Sequence, residues 1–176
     1  MMKITEFSKQ LMKRGVAKLY RYKLELTPPS KISNGPWYST LGVNSEVSKY
    51  LEFQCTSVIS PSTNINLEGD LREIPISPTF DEMRLSIRCG EDLMEKKFFD
   101  AWYSSIVNPD NFTVSYLDEI STKLKLYRYD NKGNVLYTQE FIDAYPRSVS
   151  GAELNQDPDR IEIFEVSMKF RKWKYV

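Results

Sequence analysis

The chain has 176 residues, 41% hydrophobic and 13% aromatic, a globular composition whose length suits one domain spanning 1–176 and excludes wholesale disorder. No run approaches the ~18 apolar residues of a membrane span, and no apolar core or cleavage site follows the N-terminal lysines, so neither membrane insertion nor a secretory signal is expected. Net charge is zero and histidine is absent, which excludes His-based triads, most zinc sites and the commonest general base.

The charge is segregated. Residues 1–23 hold seven Lys/Arg against one Glu, residues 66–120 hold twelve Asp/Glu against five Lys/Arg, and the last ten residues add four Lys/Arg. Copies of the chain binding head to tail would bring opposite signs together; two solvated faces of a monomer would give the same pattern. The two cysteines, Cys55 and Cys89, form no CxxC and no disulfide framework, so reduced, buried thiols in a protein folded in the cytoplasm are expected.

In chain order, the stretch "ITEFSKQLMKRGVAKLY" places Ile4, Phe7, Leu11 and Met12 on one helical face with lysines opposite, predicting a helix or arm over 1–19. Tyr20, Tyr22, Leu24 and Leu26 then alternate with polar residues as a half-buried strand. Residues 28–48 are rich in Pro, Ser, Gly and Asn and read as a long loop. "KYLEFQCTSVIS" predicts a second strand with Leu51, Phe53, Cys55, Ser57 and Ile59 on one side. The proline-bounded "PSTNINLEGDLREIPISP", within residues 60–78, reads as a polar excursion.

"TFDEMRLSIRCG" returns to a strand, with Met83, Leu85, Ile87 and Cys89 sharing a side and Gly90 turning the chain. A helix follows over about 91–107, with Glu91 and Asp92 at its positive end. Met94, Phe98 and Trp102 make one stripe and Phe99, Trp102 and Ile106 another. That arc is wide for a helix covering one sheet; it suits a helix wedged against a neighbouring subunit or one sunk deep in its own core. "KLKLYRYDNKGNVLYTQEFI" predicts a hairpin about "DNKGN". In "RIEIFEVSMKFRKWKYV" the face of Phe164, Val166, Met168 and Phe170 slips by one residue to Trp173 and Tyr175, predicting a bulge or a change of neighbour. The sum is a mainly β fold, an antiparallel two-sheet barrel or sandwich with one flanking helix and a short N-terminal helix.

Candidate chemistry is sparse. The carboxylates Asp81, Glu82, Glu91 and Asp92 come as adjacent pairs that split between opposite faces, poor geometry for a glycosidase dyad. "NFT" at 111–113 matches a glycosylation acceptor without a secretion signal to support it. Aromatic–lysine interleaving at both ends admits single-strand nucleic-acid stacking, and equally plain strands with solvated lysines. Trp37, Tyr38 and Tyr50 admit a monomeric carbohydrate-binding module. No enzyme activity, metal or cofactor is expected.

The order of "YLEFQCTSVISPS", "TFDEMRLSIRC" followed by "KKFFDAWYSSI", and "AYPRSVSGAEL" leading to "IEIFEVSMKFRKW" resembles the tail-tube proteins of contractile-tailed bacteriophages, and more distantly the tube proteins of type VI secretion systems. The resemblance implies a structural virion protein, with hexameric rings stacked into a tail tube that conducts DNA. Its implied partners are further copies of itself, a tail sheath protein, baseplate or tube-initiator proteins, and a tape-measure protein with viral DNA in the lumen. The implied location is the virion tail, assembled in the bacterial host cytoplasm. By position it makes residues 60–78 an inter-ring loop, with Asn64, Asn66, Glu68, Asp70 and Arg72 as contacts. It makes Phe7 and Leu11 arm contacts and Arg84, Ser86, Arg88, Glu162, Glu165 and Ser167 lumen candidates, while the wide helical arc makes Phe98, Phe99, Trp102 and Ile106 inter-subunit candidates. The loop 28–48 departs from the family pattern and leaves open a single-ring baseplate or tail-terminal relative.

Overall fold

The computed structural model describes residues 21–33, 55–69, 72–151 and 161–176. The expected N-terminal helix, residues 34–48 of the expected loop, Leu51, Phe53 and Asp70 lie outside the described residues, as do Trp37, Tyr38 and Tyr50.

The chain forms β1 (Tyr22–Leu26), a single helical turn α1 (Ser30–Ser33), β2 (Cys55–Ile59), β3 (Thr63–Glu68), β4 (Ile74–Phe80), β5 (Met83–Arg88), α2 (Met94–Ile106), α3 (Leu117–Ile120), β6 (Thr122–Tyr129), β7 (Val135–Val149), β8 (Ile163–Lys169) and β9 (Lys172–Tyr175). All pairing is antiparallel. The order is β1-β6-β7-β8-β5-β2, with β9 also on β7 and with β3–β4 as a separate hairpin.

The 15-residue β7 belongs to two layers. Its first half pairs with β6 and β9, and its second half pairs with β8. The bend between them falls where Asp143 adopts φ 56°, a left-handed conformation that few non-glycine residues tolerate. Arg171 holds that residue, its Nε donating to Asp143 Oδ2 at 2.6 Å. Leu24, Leu26, Leu124, Leu126 and Phe141 from one layer meet Met83, Leu85, Ile87, Phe164, Val166 and Met168 from the other in a single core. Each such side chain contributes about 1.5–3 kcal/mol of transfer free energy. Helix α2 completes that core with Phe98, Phe99 and Trp102, none measurably exposed. Phe99 stacks on Trp102 and meets Phe164 edge-on at 5.9 Å. Trp102 Nε1 donates to the carbonyl of Ile120 at 2.7 Å, tying α2 to α3.

Several expectations change. Among the described residues the sheet does not close into a barrel: β1 and β2 stand at opposite ends of the strand order. The second strand does not keep one phase, because the register shifts between Cys55 and Ser57. Cys55 and Val58 therefore face the core, while Ser57 and Ile59 are exposed. The slip after Phe170 is a change of neighbour, from β5 and β7 on β8 to β7 alone on β9. Glu91 and Asp92 precede α2 rather than opening it; Asp92 Oδ1 accepts from the Met94 amide at 3.3 Å, and Glu95 is the first-turn acid. The turn at 130–134 is as expected, with Asp130 accepting from the amides of Lys132 and Asn134 and Gly133 at φ 84°.

Candidate assembly surfaces

The excursion at 60–78 is a β-hairpin standing off the body. Its register pairs Thr63 with Phe80, Ile65 with Pro78, and Asn66 with Ser77. It then shifts so that Leu67 meets Pro75 and Ile76 is left unpaired. Strand alternation makes the hairpin amphipathic. Thr63, Ile65, Leu67, Pro75 and Pro78 share one face, and Asn64, Asn66, Ser77 and Thr79 share the other, where Asn66 bonds to Ser77 and Thr79. The apolar face begins on the core. Phe80 packs on Phe170 with ring centroids 5.6 Å apart, and Trp173 Nε1 donates to Thr63 Oγ1 at 3.2 Å. Beyond that anchor, Ile65 is 63% exposed and Leu67 comparably open, as are the unpaired Ile76 and Ile74, which opposes Glu68 on the other face. A two-stranded hairpin is marginal in water by itself, so this apolar face needs a cover that the chain does not supply among its described residues.

Asn64, Asn66, Glu68 and Arg72, expected as contacts here, are all exposed. The apolar residues between them were missed, although the alternation of Ile65 with Leu67 and of Ile74 with Ile76 is their signal. Two prolines hid it, because proline argues against a central strand and is tolerated in one that pairs on a single side.

Of the lumen candidates, Arg84, Ser86, Arg88, Glu165 and Ser167 fall on one face, whereas Glu162 keeps the phase of Phe164 and lies on the other. Across β5 and β8, Arg84 opposes Ser167 and Ser86 opposes Glu165. These side chains point away from a core formed by Met83, Leu85, Ile87, Phe164 and Val166. Glu162 lies just before β8, its carbonyl accepting from the Cys89 amide at 3.0 Å. At one end of this face, Arg84, Arg147, Lys169, Asp81 and Glu82 line a cleft of about 430 Å³. Glu82 is engaged there by Arg147 and, at 3.9 Å, by Lys169.

The helix residues behave differently from the inter-subunit expectation. Phe98, Phe99 and Trp102 are enclosed by this chain's own layers, and Ile106 is half-buried against the same core, so they present little surface to a neighbour. Cys55 is buried and Cys89 half-buried. Burial pushes the Cys55 thiol up to about 12 and the Cys89 thiol up to about 11, far above the range of reactive thiolates.

The remaining surface is open sheet edge. Among the described residues β1 pairs only with β6, β2 only with β5, and β9 only with β7. Unpaired edges of this kind template further strand pairing.

The family of phage tail tube proteins matches residues 17–176. None of the curated proteins matches the chain. Among solved structures, the fold is similar to a chain of the extracellular contractile injection system PVC sheath–tube complex in the extended state. That pair has 15% identity and a TM-score of 0.60, covering 96% of this chain and 98% of that one. It is also similar to a chain of the PVC sheath/tube terminator, with 12% identity, a TM-score of 0.62, and 93% and 98% covered. A chain of the anti-feeding prophage baseplate gives 9% identity and a TM-score of 0.62, with 92% and 95% covered. With nearly the whole sequence matched, the chain belongs to the phage tail tube protein family.

Proposed function

We propose that this tail tube protein is the repeating subunit of the inner tube of a contractile phage tail. Six copies join edge to edge into a ring, and rings stack into a conduit for DNA. The observation that carries the reading is the open strand order, with the β1, β2 and β9 edges unpaired among the described residues and a hairpin whose apolar face is uncovered among them. A closed ring satisfies such edges by giving each a neighbour, and head-to-tail stacking covers the hairpin. The face of Arg84, Ser86, Arg88, Glu165 and Ser167 then lines the lumen. Glu165 beside the arginines and Glu82 on Arg147 offset part of its positive charge, which limits the phosphate affinity that would impede sliding of DNA and a tape-measure protein. A sheath protein surrounds the tube and a baseplate protein starts it, in the host cytoplasm, before the tail joins the virion.

A single-ring role is the second reading, since the fold is as similar to chains of a baseplate and of a tube terminator as to one of a sheath–tube complex. Sedimentation velocity over rising concentration separates the two. A six-chain species that grows into longer stacks supports the repeating subunit. A six-chain species that stops growing supports the single ring, and a monomer at every concentration overturns both.

A further inference from the structure

Three cations, Arg84, Arg147 and Lys169, meet in the cleft of about 430 Å³ at one end of the β5–β8 face. Each comes from a different strand. Arg84 opposes Ser167 across β5 and β8, and Lys169 ends β8. Arg147 is the extra residue of a bulge, since the register of β7 on β8 shifts between Pro146 and Ser148. A bulge re-aims the side chain it carries, and this one delivers a guanidinium to the cleft. The facing wall is the 60–62 segment, held to the β4–β5 turn where the Asp81 amide donates to the Ser62 carbonyl at 3.1 Å.

Among the described residues, one carboxylate engages these cations. Glu82 is bonded by Arg147 and lies 3.9 Å from Lys169 Nζ. Its side chain is 19% exposed, against 65% for Arg147 and 42% for Lys169, so the acid sits at the floor and the cations rise to the mouth. Arg84 and the exposed Asp81 form no ion pair among the described residues. Three cations less two carboxylates leave the cleft with a net charge of +1. A guanidinium fork matches a phosphate oxyanion in a bidentate pair, and Ser60 and Ser62 add hydroxyls at the rim. Solvent-exposed ion pairs are weak. An arriving phosphate can therefore take Arg147 and Lys169 from Glu82, and Glu82 recovers them as the phosphate leaves.

We propose that this cleft takes one phosphodiester of passing DNA at a time, with Arg84 and Lys169 on the phosphate and Glu82 competing for Arg147 as a tethered counter-anion. The proposal rests on the lumen reading above and names the group that this face meets. Each copy touches the DNA through a contact that exchanges, which guides the polymer without holding it. The test is fluorescence anisotropy of a short labelled DNA duplex against the full chain over rising sodium chloride. The parent should bind weakly. Glu82→Gln should tighten binding several-fold and steepen the salt slope by about 1, one further phosphate contact. Arg84→Gln, at an exposed position, should weaken the parent and cancel the gain of Glu82→Gln. An unchanged slope in Glu82→Gln, or a gain that survives Arg84→Gln, overturns the contact. If circular dichroism finds Glu82→Gln unfolded, unchanged binding by Arg84→Gln overturns it alone. Displacement of the duplex by inorganic phosphate at constant ionic strength marks a free-phosphate site and overturns the DNA contact. Negative-stain electron microscopy of the same proteins, concentrated, separates this from assembly. Rings without a Glu82-dependent slope overturn the contact and leave the tube reading standing. A Glu82-dependent slope without rings overturns the tube reading and leaves the contact.

Discussion

Phe80 ends the projecting hairpin and packs on Phe170, 5.6 Å between centroids, and Phe170 in turn meets Phe141 edge-on at 5.0 Å. The hairpin is thereby rooted in the core of the first layer while its apolar face stays open. Phe80→Ala removes a half-buried ring at that root. It is expected to cost about 2 kcal/mol, below the ~3–5 kcal/mol of a fully buried Phe→Ala change. Urea denaturation gives the stability, and limited proteolysis should cut within 63–80 faster than in the parent.

The open face separates assembly from folding. Ile65 and Leu67 are exposed, so Ile65→Asp with Leu67→Asp should change monomer stability by no more than about 0.5 kcal/mol per site, as is usual for surface positions. The same pair should abolish growth beyond a single ring in sedimentation. Asn64→Asp with Asn66→Asp, on the opposite face, should have the smaller effect. Equal loss from both pairs would mean that the apolar face is not the contact.

The tip depends on Gly69 at φ 131°, where an added Cβ would meet the backbone carbonyl of Arg72. Gly69→Ala should distort the turn and weaken stacking while the melting temperature of the body is preserved, which sedimentation and circular dichroism read independently.

Much of this was legible in the sequence because burial on one side imposes alternation. Met83, Leu85 and Ile87, and Phe164, Val166 and Met168, kept phase as expected, and the slip to Trp173 gave away the change of partner. The bulge after Cys55 was not legible, since one extra residue inverts the phase without any glycine or proline to mark it. The hairpin was misread through its prolines and asparagines. The aromatic arc of α2 fitted two readings, and sequence cannot distinguish enclosure by two layers of one chain from enclosure by a neighbour.

Trp102 should be the most sensitive position of α2. Trp102→Phe keeps most of the ring volume but leaves the Ile120 carbonyl without its 2.7 Å donor, an expected loss of about 1–3 kcal/mol for an orphaned buried acceptor. Trp102→Ala should lose more, about 3–5 kcal/mol. Chemical denaturation orders the two, and a loss near zero for Trp102→Phe would remove the hydrogen bond from the account.

The thiols and phenols set the alkaline limit. Burial raises Cys55 and Tyr22 to about 12 and Cys89 to about 11, and the Glu25 carboxylate beside Tyr127 raises that phenol to about 12. A raised folded value contributes stability that is complete below the unfolded value and is lost as pH climbs toward the folded one. Denaturant midpoints should therefore hold to about pH 8.5, the ordinary thiol value, and fall from there. At the acid end, Asp130, held low by Asn134, and Glu140, held low by Lys174, act oppositely. Their contributions persist above the ordinary carboxylate range and fade as pH drops through it. In the folded protein at neutral pH, iodoacetamide should label Cys89 slowly and Cys55 more slowly still; rapid labelling of Cys55 would contradict its enclosure.

The central claim is that this chain closes its open strand edges with copies of itself and stacks the result. Negative-stain electron microscopy of the concentrated protein, in low and high salt, tests it most directly. Six-fold rings and hollow tubes of uniform width, shortened by salt, are the predicted result. Dispersed small particles under every condition would contradict it.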